Sequence, residues 1–253
     1  MIELKNVHKS YSNTDVLKGI DLKLNKGAIH TLIGANGSGK STMLNIIAGL
    51  LEFDKGIVSL EGSSLSGNRA EIQGNIGYVL EQQLLIERFS VSDFLGFIGL
   101  LQNIDRITCR ERIDDLCRFL ELKKDKPIED LSRGQKLKTS IAASLIHKPA
   151  YLVWDEPFNG LDFSAARKIS QLLKKLSKNG VTILVTSHQY DIILEISDEV
   201  FVLDQGVVRQ NLKKDQLLEK FGAHNEYQKR FKNEMIEAMG GEVEADIPTW
   251  LLK

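Results

Sequence analysis

The eight residues GANGSGKS, 34–41, constrain this chain more than any other stretch of it. They fit the pattern G-x-x-x-x-G-K-[ST], they follow the apolar run AIHTLI, and they lead into STMLNIIAGLL, whose apolar residues recur at helical spacing. A strand, a glycine loop and a helix in that order make a phosphate cradle. Gly34, Gly37 and Gly39 let the backbone curl so that successive N–H groups face phosphate oxygens. Lys40 places a point charge on the outer phosphates, and the Ser41 hydroxyl is a hard ligand suited to Mg²⁺. Asn36, Ser38 and Thr42 complete the candidate nucleotide-binding set.

A phosphate loop needs an acid to hold its metal. YLVWDEP, 151–157, supplies one at the end of an apolar strand: Asp155 is placed to hold magnesium, and Glu156 to orient and deprotonate a water. The run VTILVTS ends in His188, again at a carboxyl end, where ligands of open α/β sheets collect. His8, His30, His147 and His224 have no such placement and are read as structural. A second anion-binding turn is suggested by LSRGQ, 131–135, a serine, an arginine and a glycine just ahead of the helical KLKTSIAASLIHK.

Around these motifs the pattern is α/β. An alternating N-terminal region predicts a small antiparallel sheet, and YLVWDE, SAARKISQLLKKL, VTILVTSH, DIILEIS and EVFVLD alternate strand and helix as a mainly parallel sheet does. Residues 92–121 and 136–147 read as mostly helical, so 84–145 is expected as a helical lobe inserted into the core. DQGVVRQ predicts a closing hairpin near 204–210. Residues 211–253 are expected as a helical extension, in which Tyr227, Phe231, Met235 and Met239 share one face.

The formal net charge of −1 gives no field for nucleic acid or an anionic membrane, and nucleic acid is not expected as a partner. The charged N-terminus argues against a signal peptide, and the apolar run FLGFIGLL is far too short to span a bilayer. Cys109 and Cys117, eight positions apart on one predicted helix, are about 12 Å apart along its axis, too far for a disulfide. They read as reduced packing residues.

Together the motifs resemble the ATP-binding cassette family, the nucleotide-binding subunits of ABC transporters, over about residues 1–210. GANGSGKST resembles the family's Walker A loop, LVWDEP its Walker B strand and LSRGQ its signature sequence. FNGLD, with Asp162, resembles the D-loop, TSH the switch-histidine segment, and HKSYSNTDVLKGIDL the stretch whose aromatic, here Tyr11, stacks on adenine. The resemblance implies a P-loop NTPase core binding ATP and Mg²⁺, with Lys40, Glu156 and His188 catalytic. It also implies a head-to-tail pair of cassettes, a homodimer or a heterodimer with a related chain. In that pair Ser132 and Gly134 would cap the γ-phosphate held by the other copy. Two positions depart from the family pattern. Arg133 stands where glycine is usual and is expected to point to solvent. Glu81 stands where glutamine usually contacts Mg²⁺ or the attacking water, with Gln82 one step later. The implied function is hydrolysis of MgATP to power transport through permease subunits on separate chains. That would place the chain in the cytoplasm, on the inner face of the membrane, with a lean toward export. The alternative is a soluble assembly ATPase.

Overall fold

The structure, a computed structural model, describes residues 1–65, 69–221 and 245–252. Two sheets organise it. The first is antiparallel, in the order β2-β1-β4-β5, from β1 (Ile2–Tyr11), β2 (Thr14–Leu24), β4 (Lys55–Leu60) and β5 (Ser63–Ser64). The second has the order β10-β9-β3-β8-β7-β6, from β3 (Ile29–Ile33), β6 (Ile76–Val79), β7 (Tyr151–Trp154), β8 (Thr182–Thr186), β9 (Glu199–Asp204) and β10 (Val207–Lys213). Its pairings are parallel except for the β9–β10 hairpin. This is the expected α/β class, a mainly parallel sheet with an N-terminal antiparallel one.

Strand sequence explains the layering. β7 and β8, YLVW and TILVT, are buried at every position, as a strand covered on both faces must be. On one face lies α1 (Lys40–Ile47), whose Met43, Leu44, Ile46 and Ile47 share a core with the antiparallel sheet through Ile2, Leu4 and Val58. On the other lies α6 (Phe163–Lys178), which buries Ile169, Leu172, Leu173 and Leu176, the i, i+3, i+4, i+7 stripe of an amphipathic helix.

Between β6 and β7 come α3 (Val91–Leu101), α4 (Arg106–Leu120), a 3₁₀ turn (Ile128–Asp130) and α5 (Arg133–Leu145). The mostly helical stretch expected over 92–121 resolves into two helices, because Asp105 caps a new one through Thr108 N–H at 3.0 Å. α5 begins three residues earlier than the sequence suggests. Ser132 and Gln135 form a reciprocal capping box, Ser132 Oγ accepting from Gln135 N–H and Gln135 Oε1 from Ser132 N–H, which draws Arg133 and Gly134 into the first turn. Cys109 and Cys117 are free and buried in α4, and burial pushes the Cys117 thiol up to about 11.

Among the described residues the remaining helices are α2 (Arg69–Gly74), α7 (Tyr190–Ile196), α8 (Lys214–Phe221) and α9 (Thr249–Leu252). The apolar face expected from Tyr227, Phe231, Met235 and Met239 lies outside the described residues. The hairpin expected near 204–210 is present, and its turn is tied down. Gly206 (φ +81°) accepts from Lys18 N–H at 2.8 Å and donates to Ser38 O at 3.1 Å, and a side chain there would run into Val16 O.

Candidate active site

Strand order assembles the site. β3, β8 and β7 are parallel neighbours, with Leu32 opposite Thr186 and Trp154 opposite Val185, so their carboxyl ends open on one edge. From β3 the chain enters the loop 34–39, from β7 it reaches Asp155 and Glu156, and from β8 it reaches His188.

The loop is built for close approach. Gly37 and Gly39 take φ of +79° and +106°, and a side chain on Gly34 would collide with the Leu203 carbonyl. Gly39 is the N-cap of α1 and offers no side-chain acceptor, so the first-turn N–H groups of α1 have no side-chain cap. Lys40 is nearly buried and bends back to donate to Gly34 O at 2.8 Å and Ala35 O at 3.1 Å. A cationic side chain resting on the carbonyls of its own loop, over a helix end with free donors, fits a polyphosphate. Ser38 Oγ is buried without a partner in the same loop, while Ala35, Asn36, Gly37 and Ser41 are exposed and Thr42 is partly buried.

Beside the loop, Thr186 ties two acids together. Its hydroxyl donates to Asp155 Oδ1 at 2.6 Å and accepts the Glu156 N–H at 2.8 Å. Glu156 sits at φ +49°, a left-handed conformation costing a non-glycine residue about 1–3 kcal/mol. That backbone turns its carboxylate into the edge. Burial raises the Glu156 pKa, Asp155 and Glu81 push the same way, and His188 and Lys40 pull it down. Glu156 Oε1 is buried and has no hydrogen bond, although His188 Nε2 is 3.2 Å away. The two observations agree if the contact is read as electrostatic, close enough for an ion pair but outside hydrogen-bond geometry. Asp155 is 4% exposed, and together with the Ser41 hydroxyl it makes a hard-oxygen donor set suited to Mg²⁺.

The other candidates lie around this edge. Glu81 is exposed on the bend after β6, yet its charge reaches Glu156. Tyr11 is 47% exposed, with the Lys9 ammonium 5.6 Å from its ring centroid. Asp162 caps α6, its Oδ1 accepting from Ala165 N–H at 2.8 Å. The Ser132 side chain is engaged with its own helix, as described above. Gly134 has a packing reason to be glycine, since a Cβ there would stand 2.8 Å from Gly160 O. Arg133 is exposed, and its aliphatic stem lies beside Gly160. Thr186 was not singled out from the sequence. A β-branched hydroxyl residue one step before the strand-end Ser187-His188 pair was the available signal.

Compared with known families, residues 17–159, more than half of the chain, match the model described as ABC transporter. The chain belongs to the ABC transporter family. The cassette is 32% identical over 209 residues to the linearmycin resistance ATP-binding protein LnrL of Bacillus subtilis (strain 168), covering 81% of this chain and 67% of that protein. It is 36% identical over 224 residues to ABC transporter G family member 23 of Dictyostelium discoideum, covering 87% of this chain but only 32% of that one. The cassette therefore spans about a third of the Dictyostelium relative. Among solved structures, an ATP-binding subunit of an ABC transporter matches with a TM-score of 0.81 at 25% identity, over 88% of this chain and 93% of that one. The dimeric cassette MJ0796, in a post-hydrolysis state bound to ADP and Pi, matches at 0.80 and 28% identity, over 85% and 99%. The protein is an ATP-binding cassette ATPase.

Proposed function

We propose that this cassette is the motor subunit of a transporter whose permease lies on other chains, and that it works as a head-to-tail pair. The observation that carries the reading is Glu156, a half-buried carboxylate whose Oε1 is buried without a hydrogen bond and whose proton affinity is raised, within reach of the Lys40 charge. Such a group can take a proton from a water attacking a γ-phosphate. Lys40 exchanges its loop carbonyls for phosphate oxygens, Thr186 and the strained backbone fix the carboxylate, and His188 borders the same space. Asp155, Ser41 and Glu81 would hold Mg²⁺, which when bound supplies charge on the phosphate oxygens. Tyr11 offers a ring for the base, and Asp162 stays at its helix cap. Residues 1–213 form the cassette, three past the boundary expected from the sequence because β10 runs on to Lys213, with 84–145 its helical lobe and 214–253 an extension.

A groove between the lobe and the parallel sheet favours transport over a soluble assembly role. Its cavity of about 570 Å³ is lined by Tyr78, Leu84, Leu85, Phe94, Ile98 and Leu101 among others, and Leu84 and Leu101 are 73% and 60% exposed. An apolar cleft of this kind suits a short amphipathic helix from a membrane chain, which would hold the cassette at the inner membrane face. None of the described helices is long and apolar enough to cross a membrane. Glu81 at the coupling position accompanies a lean toward export.

The trans role of the signature turn is tested by Ser132→Asp. Aspartate is as good an N-cap as serine, so the helix keeps its acceptor while a carboxylate faces the partner's γ-phosphate. Expected are normal MgATP binding by the isolated chain and hydrolysis reduced roughly 10²-fold or more. Wild-type turnover in Ser132→Asp would overturn the trans role.

A further inference from the structure

The helix that carries the signature turn is held at its other end by the chain's C-terminus. α5 runs from Arg133 to Leu145 and is capped by Ile146. The Ile146 carbonyl accepts a 2.7 Å hydrogen bond from Arg112 Nη1 of α4. Over that guanidinium lies the Trp250 ring, its centroid 4.7 Å from Arg112 Cζ. The segment bearing Trp250 is itself anchored. Ala245 N–H donates to Gln171 Oε1 of α6 at 2.9 Å, and Ala245, Ile247 and Leu251 are buried in the core shared by α4, α5 and α6. Residues 245–252 therefore pack against the helices before β7 and the helix after it at once. A second tie, from Lys168 of α6 to Glu121 at the end of α4, joins the same two bodies.

We propose that Trp250 is a positioning residue for ATP hydrolysis, clamping Arg112 onto the C-terminal end of α5 and so setting the direction in which Ser132 and Gly134 project. The proposal rests on the trans role of that turn. A thirteen-residue helix is a rod of roughly 20 Å, so a tilt of about 10° at one end moves the other by about 3 Å. Displacements of about 1 Å in a reacting geometry already cost on the order of a hundredfold in rate. A planar guanidinium suits the task, because it can stack on an indole with its face and donate from its edge at the same time. Neither end of this relay touches the phosphate loop, so nucleotide binding by a single chain has no reason to depend on it.

The test compares Trp250→Ala, Trp250→Phe and Arg112→Lys in the full chain. It measures steady-state hydrolysis, nucleotide binding by the isolated chain with a fluorescent ATP analogue, and thermal unfolding. Expected for Trp250→Ala and Arg112→Lys is a fall in kcat of roughly tenfold or more with nucleotide affinity unchanged within about twofold. Trp250→Phe, which keeps a ring over the guanidinium, should recover most of the rate. Should Trp250→Ala fail to fold, Arg112→Lys carries the same comparison with the segment's apolar anchors intact. Normal kcat in the folded variants, or loss of nucleotide binding in step with kcat, overturns the proposal. Ser132→Asp runs alongside. If it is inactive while Trp250→Ala is normal, only the positioning role fails; if it hydrolyses ATP normally, the trans role fails and the proposal with it.

Discussion

Glu156 shows how much of a candidate catalytic residue's character comes from groups far from it in sequence. Its type and its place at a strand end were legible, since an apolar run ending in two acids beside a glycine loop has few other uses. Its left-handed backbone and its hold on Thr186 were not, because they depend on β8 lying next to β7. Replacing Glu156 by Gln should leave MgATP binding intact and lower hydrolysis about 10²–10⁴-fold, measured as phosphate release. The same change has a stability signature. The folded state raises the glutamate's pKa, chiefly by burial, so protonation favours folding. That stabilisation is fully present below the ordinary glutamate pKa of about 4.3 and is lost as pH rises through the raised value. Glu156→Gln, which cannot ionise, should therefore melt higher than wild type at neutral pH without nucleotide, and the gain should vanish near pH 4. An equal melting temperature at both pH values would show that ionised Glu156 costs the fold nothing.

Among the elements, α5 most changes the meaning of its own motif. The spacing of LSRGQ marked a helix start, but the turn serves two masters. Ser132 and Gln135 close a capping box, and Gly134 faces the carbonyl of Gly160, a contact between the first turn of α5 and the loop after β7 that no local pattern encodes. Gly134→Ala should accordingly destabilise the nucleotide-free chain by about 1–3 kcal/mol through overpacking against backbone. At about 2–4 °C per kcal/mol for a chain of this size, thermal unfolding will register it. Ser132→Asp, which retains the cap, should leave the melting temperature at or above that of wild type. If Gly134→Ala unfolds at the wild-type temperature, the loop 158–162 yields freely and the glycine is there for the partner's phosphate alone. The place of the break between α3 and α4 was not legible for a related reason, because Asp105 is an ordinary acid until its carboxylate is seen to meet Thr108 N–H.

For the molecule as a whole, two sheets sharing α1 make a rigid block that presents the nucleotide edge on one side and the apolar groove beside α3 on another. The mainly parallel character of the sheet was implied by the strand–helix rhythm, but its order, with β3 between β9 and β8, was not. Nor was the groove, because its walls come from β6, α3 and α5 together. Leu101→Glu, in that groove and away from the phosphate loop, should abolish copurification of a coexpressed permease while leaving basal hydrolysis within about twofold of wild type. Retained copurification would move the docking surface elsewhere. The β9–β10 turn bears on how this block can be altered at all. Hairpin tips are ordinarily where a chain accepts a cut, a tag or a spliced-in domain. Gly206, however, is bonded on one side to β2 and on the other to the phosphate loop. The tip is a rivet, and an insertion there would pry the antiparallel sheet off the nucleotide edge.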